Sequence, residues 1–183
     1  LLEIAGRYQL PIVEDNCYGD VHFDGDKVPS LYAMDDSEQQ IYIGSLSKIF
    51  APGVRLGYLL ARQPHFNNIV SQRFDAGSNY FTAAVLAKFY ENGIWAHCDT
   101  ANPVLKRKRD LVCGMLNETL ADTCVWSVPV GGLFVWVRLP DDTDMDKLSQ
   151  VAAANNFYFA AGKEFHVDRK QVPCYITATN EKT

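Results

Sequence analysis

The chain has 183 residues, 48% of them apolar and 21% charged, enough for one domain with a sizeable core or for a large piece and a small one. A formal net charge of −5 argues against a nonspecific nucleic-acid binder, and no apolar run reaches the length of about eighteen residues that a membrane-spanning helix needs. The five cysteines (Cys17, Cys98, Cys113, Cys124, Cys174) are odd in number and scattered, without CxxC or Cys/His metal spacing, so reduced thiols and a cytoplasmic location are expected.

In chain order, Leu1-Leu2-Glu3-Ile4-Ala5-Gly6-Arg7-Tyr8 reads as the last turns of an amphipathic helix. It has no initiator Met, cap or signal-peptide pattern, so the expectation is the carboxyl-terminal portion of a longer protein. Pro11-Ile12-Val13 and Ile41-Tyr42-Ile43-Gly44 are short apolar runs that read as buried strands of an α/β sheet. Polar groups at the carboxyl ends of such strands face the usual ligand crevice. Between them, Phe23-Asp24-Gly25-Asp26-Lys27-Val28-Pro29-Ser30 carries turn chemistry and predicts a loop. Residues 55–61 predict a further strand, and the short turn through Pro52-Gly53 implies that it runs antiparallel to its neighbour.

From Gln63 to about Leu120 the pattern is helical and predicts three helices, the last beginning near Pro103 and long enough to link two lobes. Lys106-Arg107-Lys108-Arg109 within it is expected to be a solvated helix face. After Asp122, strands are predicted on either side of Gly131-Gly132, then a helix over 145–154 and short strands over 157–159 and 175–179. The expected division is therefore residues 1–102 as part of a large α/β domain, with residues 103–183 forming the linking helix and a small α+β domain.

The chemistry concentrates in two runs. Ser45-Leu46-Ser47-Lys48-Ile49-Phe50-Ala51-Pro52-Gly53-Val54-Arg55-Leu56-Gly57-Tyr58 places a lysine just after an apolar strand, with hydroxyls before it and an arginine seven residues on. Such a lysine suits an amine that holds an aldehyde cofactor carrying a phosphate, since hydroxyls and a planar guanidinium are good phosphate donors. Pyridoxal 5′-phosphate is such a cofactor. The second run, Val13-Glu14-Asp15-Asn16-Cys17-Tyr18-Gly19-Asp20, supplies what its ring needs. A buried Asp15 carboxylate would keep the pyridine nitrogen protonated so that the ring can accept electrons, and the Tyr18 phenol would sit near the 3-oxygen. Glu14 points to the opposite face of an extended strand and reads as structural.

Together these runs resemble the class I/II aminotransferases among the fold-type-I pyridoxal-phosphate enzymes, most of all the 2-aminoadipate aminotransferase branch and the aminotransferase-like domains of certain transcription regulators. Residues 8–61 carry the resemblance closely, and Val130-Gly131-Gly132-Leu133-Phe134-Val135-Trp136 extends it. It implies that Lys48 holds the cofactor and moves the substrate proton as general acid/base. Asp15 and Tyr18 would tune the ring, and Ser45 and Arg55, with Ser47, would hold the phosphate. It also implies amino-acid and 2-oxo-acid substrates and a homodimer at full length, with neither membrane nor nucleic acid as partner of this portion.

Two alternatives follow from the same motifs: a noncatalytic ligand-sensing domain of a transcription regulator, and a pyridoxal-phosphate reaction such as decarboxylation or elimination. The sequence departs from the family where an Arg-Leu-Ser-Phe-like strand normally supplies the arginine that pairs with the substrate α-carboxylate. Here Pro173-Cys174-Tyr175-Ile176-Thr177-Ala178-Thr179-Asn180 has no arginine, with Arg169 in the adjacent loop as the nearest substitute. The family's Gly-rich phosphate turn, stacking aromatic ring and asparagine at the 3-oxygen are not found in these residues.

Overall fold

The computed structural model describes residues 1–74, 77–165, 167 and 175–179. The chain is α/β and divides into two compact units, Leu1–Asn102 and Pro103–Thr183.

The first unit opens with α1 (Leu2–Tyr8), closed by Gln9 in the left-handed region and by Leu10 N–H donating to the Ala5 carbonyl. Strand β1 (Ile12–Asn16) pairs parallel with β2 (Gln40–Ser45), Asp15 opposite Ile43 and Asn16 opposite Gly44. Strand β3 (Gly57–Ala61) then pairs antiparallel with β2, as the short Pro52-Gly53 turn predicts. Gly57 is required at that corner, because a Cβ there would stand 2.8 Å from the Gly44 carbonyl oxygen.

The expectation that both early strands are buried is corrected for β1. Val13 is 57% exposed and Asp15 is also exposed among the described residues. The predicted loop over 23–30 ends in a one-turn helix, α2 (Leu31–Met34), that the sequence reading lacked; Ser30 caps it by accepting from Ala33 N–H at 3.2 Å. The strand expected over 55–61 begins at Gly57, since Arg55 closes a 3₁₀ turn at Pro52–Val54.

Three helices follow as expected: α3 (His65–Ser71), α4 (Tyr80–Asn92) and α5 (Ile94–Leu120). The last does not begin near Pro103, which lies inside it. Ile94 and Cys98, four residues apart on one face and 3% and 6% exposed, extend the apolar stripe upstream of the proline. Their burial outweighs the one hydrogen bond a proline forfeits. Phe50 packs on Phe89 of α4, ring centroids 4.7 Å apart, and both approach His97 of α5.

The second unit is a four-stranded sheet ordered β4 (Val125–Trp126), β5 (Phe134–Arg138), β7 (Tyr175–Thr179) and β6 (Phe159–Ala161), with every neighbouring pair antiparallel. Strand β6 starts two residues later than the predicted 157–159, after the chain leaves α6 (Met145–Ala154) through Asn155 and Asn156. Asp144 caps α6 by accepting from the N–H groups of Asp146 and Lys147. Val135 and Val137 of β5 meet Cys113 of α5 and Leu148 of α6 in the core.

Arg109 corrects the expectation of a wholly solvated basic face. It is 6% exposed, bonded to the Pro129 carbonyl and, at 2.7 Å, to Asp110, while Arg107 and Lys108 face solvent. Arg169 lies outside the described residues.

Candidate active site

The site lies where parallel strands β1 and β2 end, at their carboxyl edge in the first unit. Alternation along β1 carries Asp15 and Cys17 onto one face and Glu14 onto the other. Glu14 serves the fold: its Oε2 accepts from the Tyr32 N–H at 3.1 Å, holding the first turn of α2. That agrees with its reading as a structural residue.

After Ser45 the chain makes one helical turn, with Phe50 N–H and Ala51 N–H both donating to the Leu46 carbonyl, at 3.0 and 3.1 Å. Leu46 and Ile49 are each 6% exposed and pin this turn to the interior. Lys48 is half-buried between them, and Ser45 Oγ accepts from Ser47 N–H at 3.2 Å. The following 3₁₀ turn ends at Arg55, whose backbone is left-handed (φ 50°) and whose Nη1 donates to the Pro52 carbonyl at 3.3 Å. A left-handed arginine costs on the order of 1 kcal/mol, so the surrounding turn fixes where this guanidinium emerges.

A cleft of about 590 Å³ is lined by Asp15, Tyr18, Ser45, Ser47, Lys48 and Arg55, together with Cys17 and Pro52. All six residues singled out in the sequence thus come together. Asp15 is exposed at the cleft rather than buried as expected.

Cys17 was missed by the sequence reading, which weighed it only with the other scattered cysteines. Its Sγ donates to Asp15 Oδ1 at 2.8 Å. That hydrogen bond, with burial and the carboxylate's charge, raises the thiol pKa against a smaller lowering by the Ser45 hydroxyl. The sulfur is therefore a protonated donor at neutral pH.

The donor chemistry fits pyridoxal phosphate group by group: an amine for the aldehyde, a carboxylate for the ring nitrogen, a phenol for the 3-oxygen, and hydroxyls with a guanidinium for the phosphate. Among the described residues, no group of His, Cys, Asp or Glu could hold a metal ion, and no helix is long and apolar enough to cross a membrane.

Comparison with known proteins agrees with this chemistry. Residues 1–179 match the family described as aminotransferase class I and II. The chain is 35% identical over 173 residues to aromatic-amino-acid aminotransferase 1 of Thermococcus litoralis, covering 92% of this chain and 41% of that protein. It is 31% identical over 186 residues to the HTH-type transcriptional regulator NorG of Staphylococcus aureus, covering 100% of this chain and 39% of that one. The structure superposes on the multiple substrate aminotransferase of Thermococcus profundus with a TM-score of 0.88 and 32% identity, over 97% of this chain and 45% of the other. The chain thus spans less than half the length of the relatives it matches. With a family match over nearly its whole length and the fold-type-I arrangement of elements, the chain belongs to the class I and II aminotransferases.

Proposed function

We propose that the chain is the lysine-bearing part of a pyridoxal-phosphate-dependent aminotransferase that moves an amino group between an amino acid and a 2-oxo acid. One observation carries this reading: a single cleft lined by Lys48, Asp15, Tyr18, Ser45, Ser47 and Arg55. When bound, pyridoxal phosphate supplies an aldehyde carbon that takes up the substrate amine and a ring that accepts the electrons left at its Cα.

Lys48 Nζ would hold the cofactor's aldehyde carbon and, when free, would move a proton at the substrate Cα as general base and then general acid. Asp15 would keep a proton on the ring nitrogen. Tyr18 Oη would bond the 3-oxygen. Arg55 and the hydroxyls of Ser45 and Ser47 would bind the phosphate, with the Pro52 carbonyl steadying the guanidinium.

For substrate, the wording of the two motifs favours the 2-aminoadipate branch, while the similar proteins named above point to aromatic and multiple donors. The test is made on the complete gene product. Borohydride reduction should fix pyridoxal phosphate to Lys48, and 2-aminoadipate or an aromatic amino acid should donate its amino group to a 2-oxo acid. A label found on Lys88 or Lys163 instead overturns the assignment.

A second reading, a ligand-sensing domain of a transcription regulator, is favoured by the match of the whole of this chain to 39% of NorG. It predicts covalent cofactor at Lys48 without amino transfer, and a helix-turn-helix module encoded upstream of residue 1.

A further inference from the structure

We propose that Cys17 is a positioning residue: it holds the Asp15 carboxylate in place by donating a hydrogen bond to one of its two oxygens. The inference rests on the cofactor reading above and adds a residue to which that reading gives no task.

Parallel pairing puts Asp15 opposite Ile43 and Asn16 opposite Gly44, at the last rung of the ladder. One residue beyond it, Cys17 turns back on the strand and its Sγ donates to Asp15 Oδ1 at 2.8 Å. The bond joins a neutral donor to a carboxylate, the stronger kind of side-chain hydrogen bond.

Asp15 lies one residue before the end of β1, where the ladder to β2 stops, so a side-chain partner is what fixes its carboxylate. An ionised carboxylate accepts at two oxygens with about four lone-pair sites. A thiol on Oδ1 therefore fixes the side chain without competing for Oδ2, which stays available to the ring N–H. A serine at position 17 keeps a donor at the same branch point, whereas an alanine removes it.

The experiment is a double-mutant cycle on cofactor affinity, in the complete gene product stripped of cofactor and titrated with pyridoxal phosphate. Losing one modest hydrogen bond to a charged group, Cys17→Ala should raise Kd roughly three- to fivefold, and Cys17→Ser should restore it. In the Asp15→Ala background, which leaves the thiol no side-chain acceptor at that position, the same Cys17→Ala change should have no effect. In the stripped protein, Asp15→Ala should also speed alkylation of Cys17 by iodoacetamide near neutral pH, since the carboxylate no longer holds the thiol proton.

An equal loss in both backgrounds would mean that the sulfur packs against the cofactor directly, and overturns the proposal. So does an unchanged Kd in Cys17→Ala, or a Cys17→Ser variant as weak as Cys17→Ala. A wild-type protein that binds no pyridoxal phosphate overturns the cofactor reading along with it, which separates that failure from failure of the Cys17 role alone.

Discussion

Exchanging the charges of Asp15 and Glu14 for amides, one at a time, should split activity from stability across a single peptide bond. Asp15→Asn keeps a carbonyl oxygen to accept from Cys17 Sγ, so the local structure survives while the negative charge is lost. An opposite charge within about 4–6 Å moves a pKa by about 1–3 units, worth about 1.4–4 kcal/mol. Removing it from the ring nitrogen should slow proton abstraction from the substrate roughly ten- to a thousandfold. Glu14→Gln likewise keeps an oxygen for the Tyr32 N–H, now as a neutral acceptor. Because Glu14 is only half-buried, the loss should be about 1 kcal/mol or less. The assay pairs single-turnover kinetics on the complete gene product with urea unfolding of the same samples. The expected pattern is slow chemistry with near-normal stability for Asp15→Asn, and near-normal chemistry with slight destabilisation for Glu14→Gln. Equal kinetic losses in the two variants would refute the argument from strand facing.

Other perturbations probe separate parts of the molecule. Lys48→Ala should leave urea unfolding nearly unchanged and abolish borohydride-stable cofactor in mass spectra of the reduced protein; retained label would refute its role. Arg109→Ala leaves the Pro129 carbonyl without its guanidinium and should destabilise unfolding by about 2–3 kcal/mol, against under about 0.5 kcal/mol for Lys108→Ala on the exposed face. The Asp35 pKa is lowered chiefly by the Ser37 hydroxyl and then by the Ser37 N–H. Its stabilisation is therefore present above the unfolded value near pH 3.9 and is lost as pH falls through the folded value. Asp35→Asn should flatten the acid limb of a plot of thermal midpoint against pH.

The parts legible in the sequence are those whose causes are local. Helix α6 has the bounds predicted for it, because Asp144 caps a clear apolar period. The six site residues lie in two short runs joined by parallel pairing, so reading the ends of β1 and β2 was enough to find them. What the sequence did not reveal depends on partners far along the chain. Arg109 looked like one more charge in a basic run because the carbonyl that buries it lies twenty residues away, at Pro129. Pro103 looked like a helix start because the burial of Ile94 and Cys98 that carries the helix past it is tertiary. Cys17 was read only by its redox compartment, since nothing in the spacing of five scattered cysteines reports a hydrogen bond to Asp15.

The missing carboxylate arginine bears on substrate recognition, and positions 175 and 176 are the candidates for its place. Strand pairing sets Tyr175 opposite Arg138 and Ile176 opposite Val137. Successive residues of a strand take opposite faces, so only one of Tyr175→Arg and Ile176→Arg can help. If the missing arginine limits substrate recognition, that one should lower KM for amino-acid donors by roughly tenfold or more, the scale of one charge-assisted bidentate contact. The other should leave KM unimproved, and a gain from both would refute the argument. If the wild-type protein already binds simple amino acids with ordinary affinity, another cation serves the carboxylate. Arg169→Ala is then the deciding variant, since a raised KM would assign the role to Arg169 and an unchanged one would clear it.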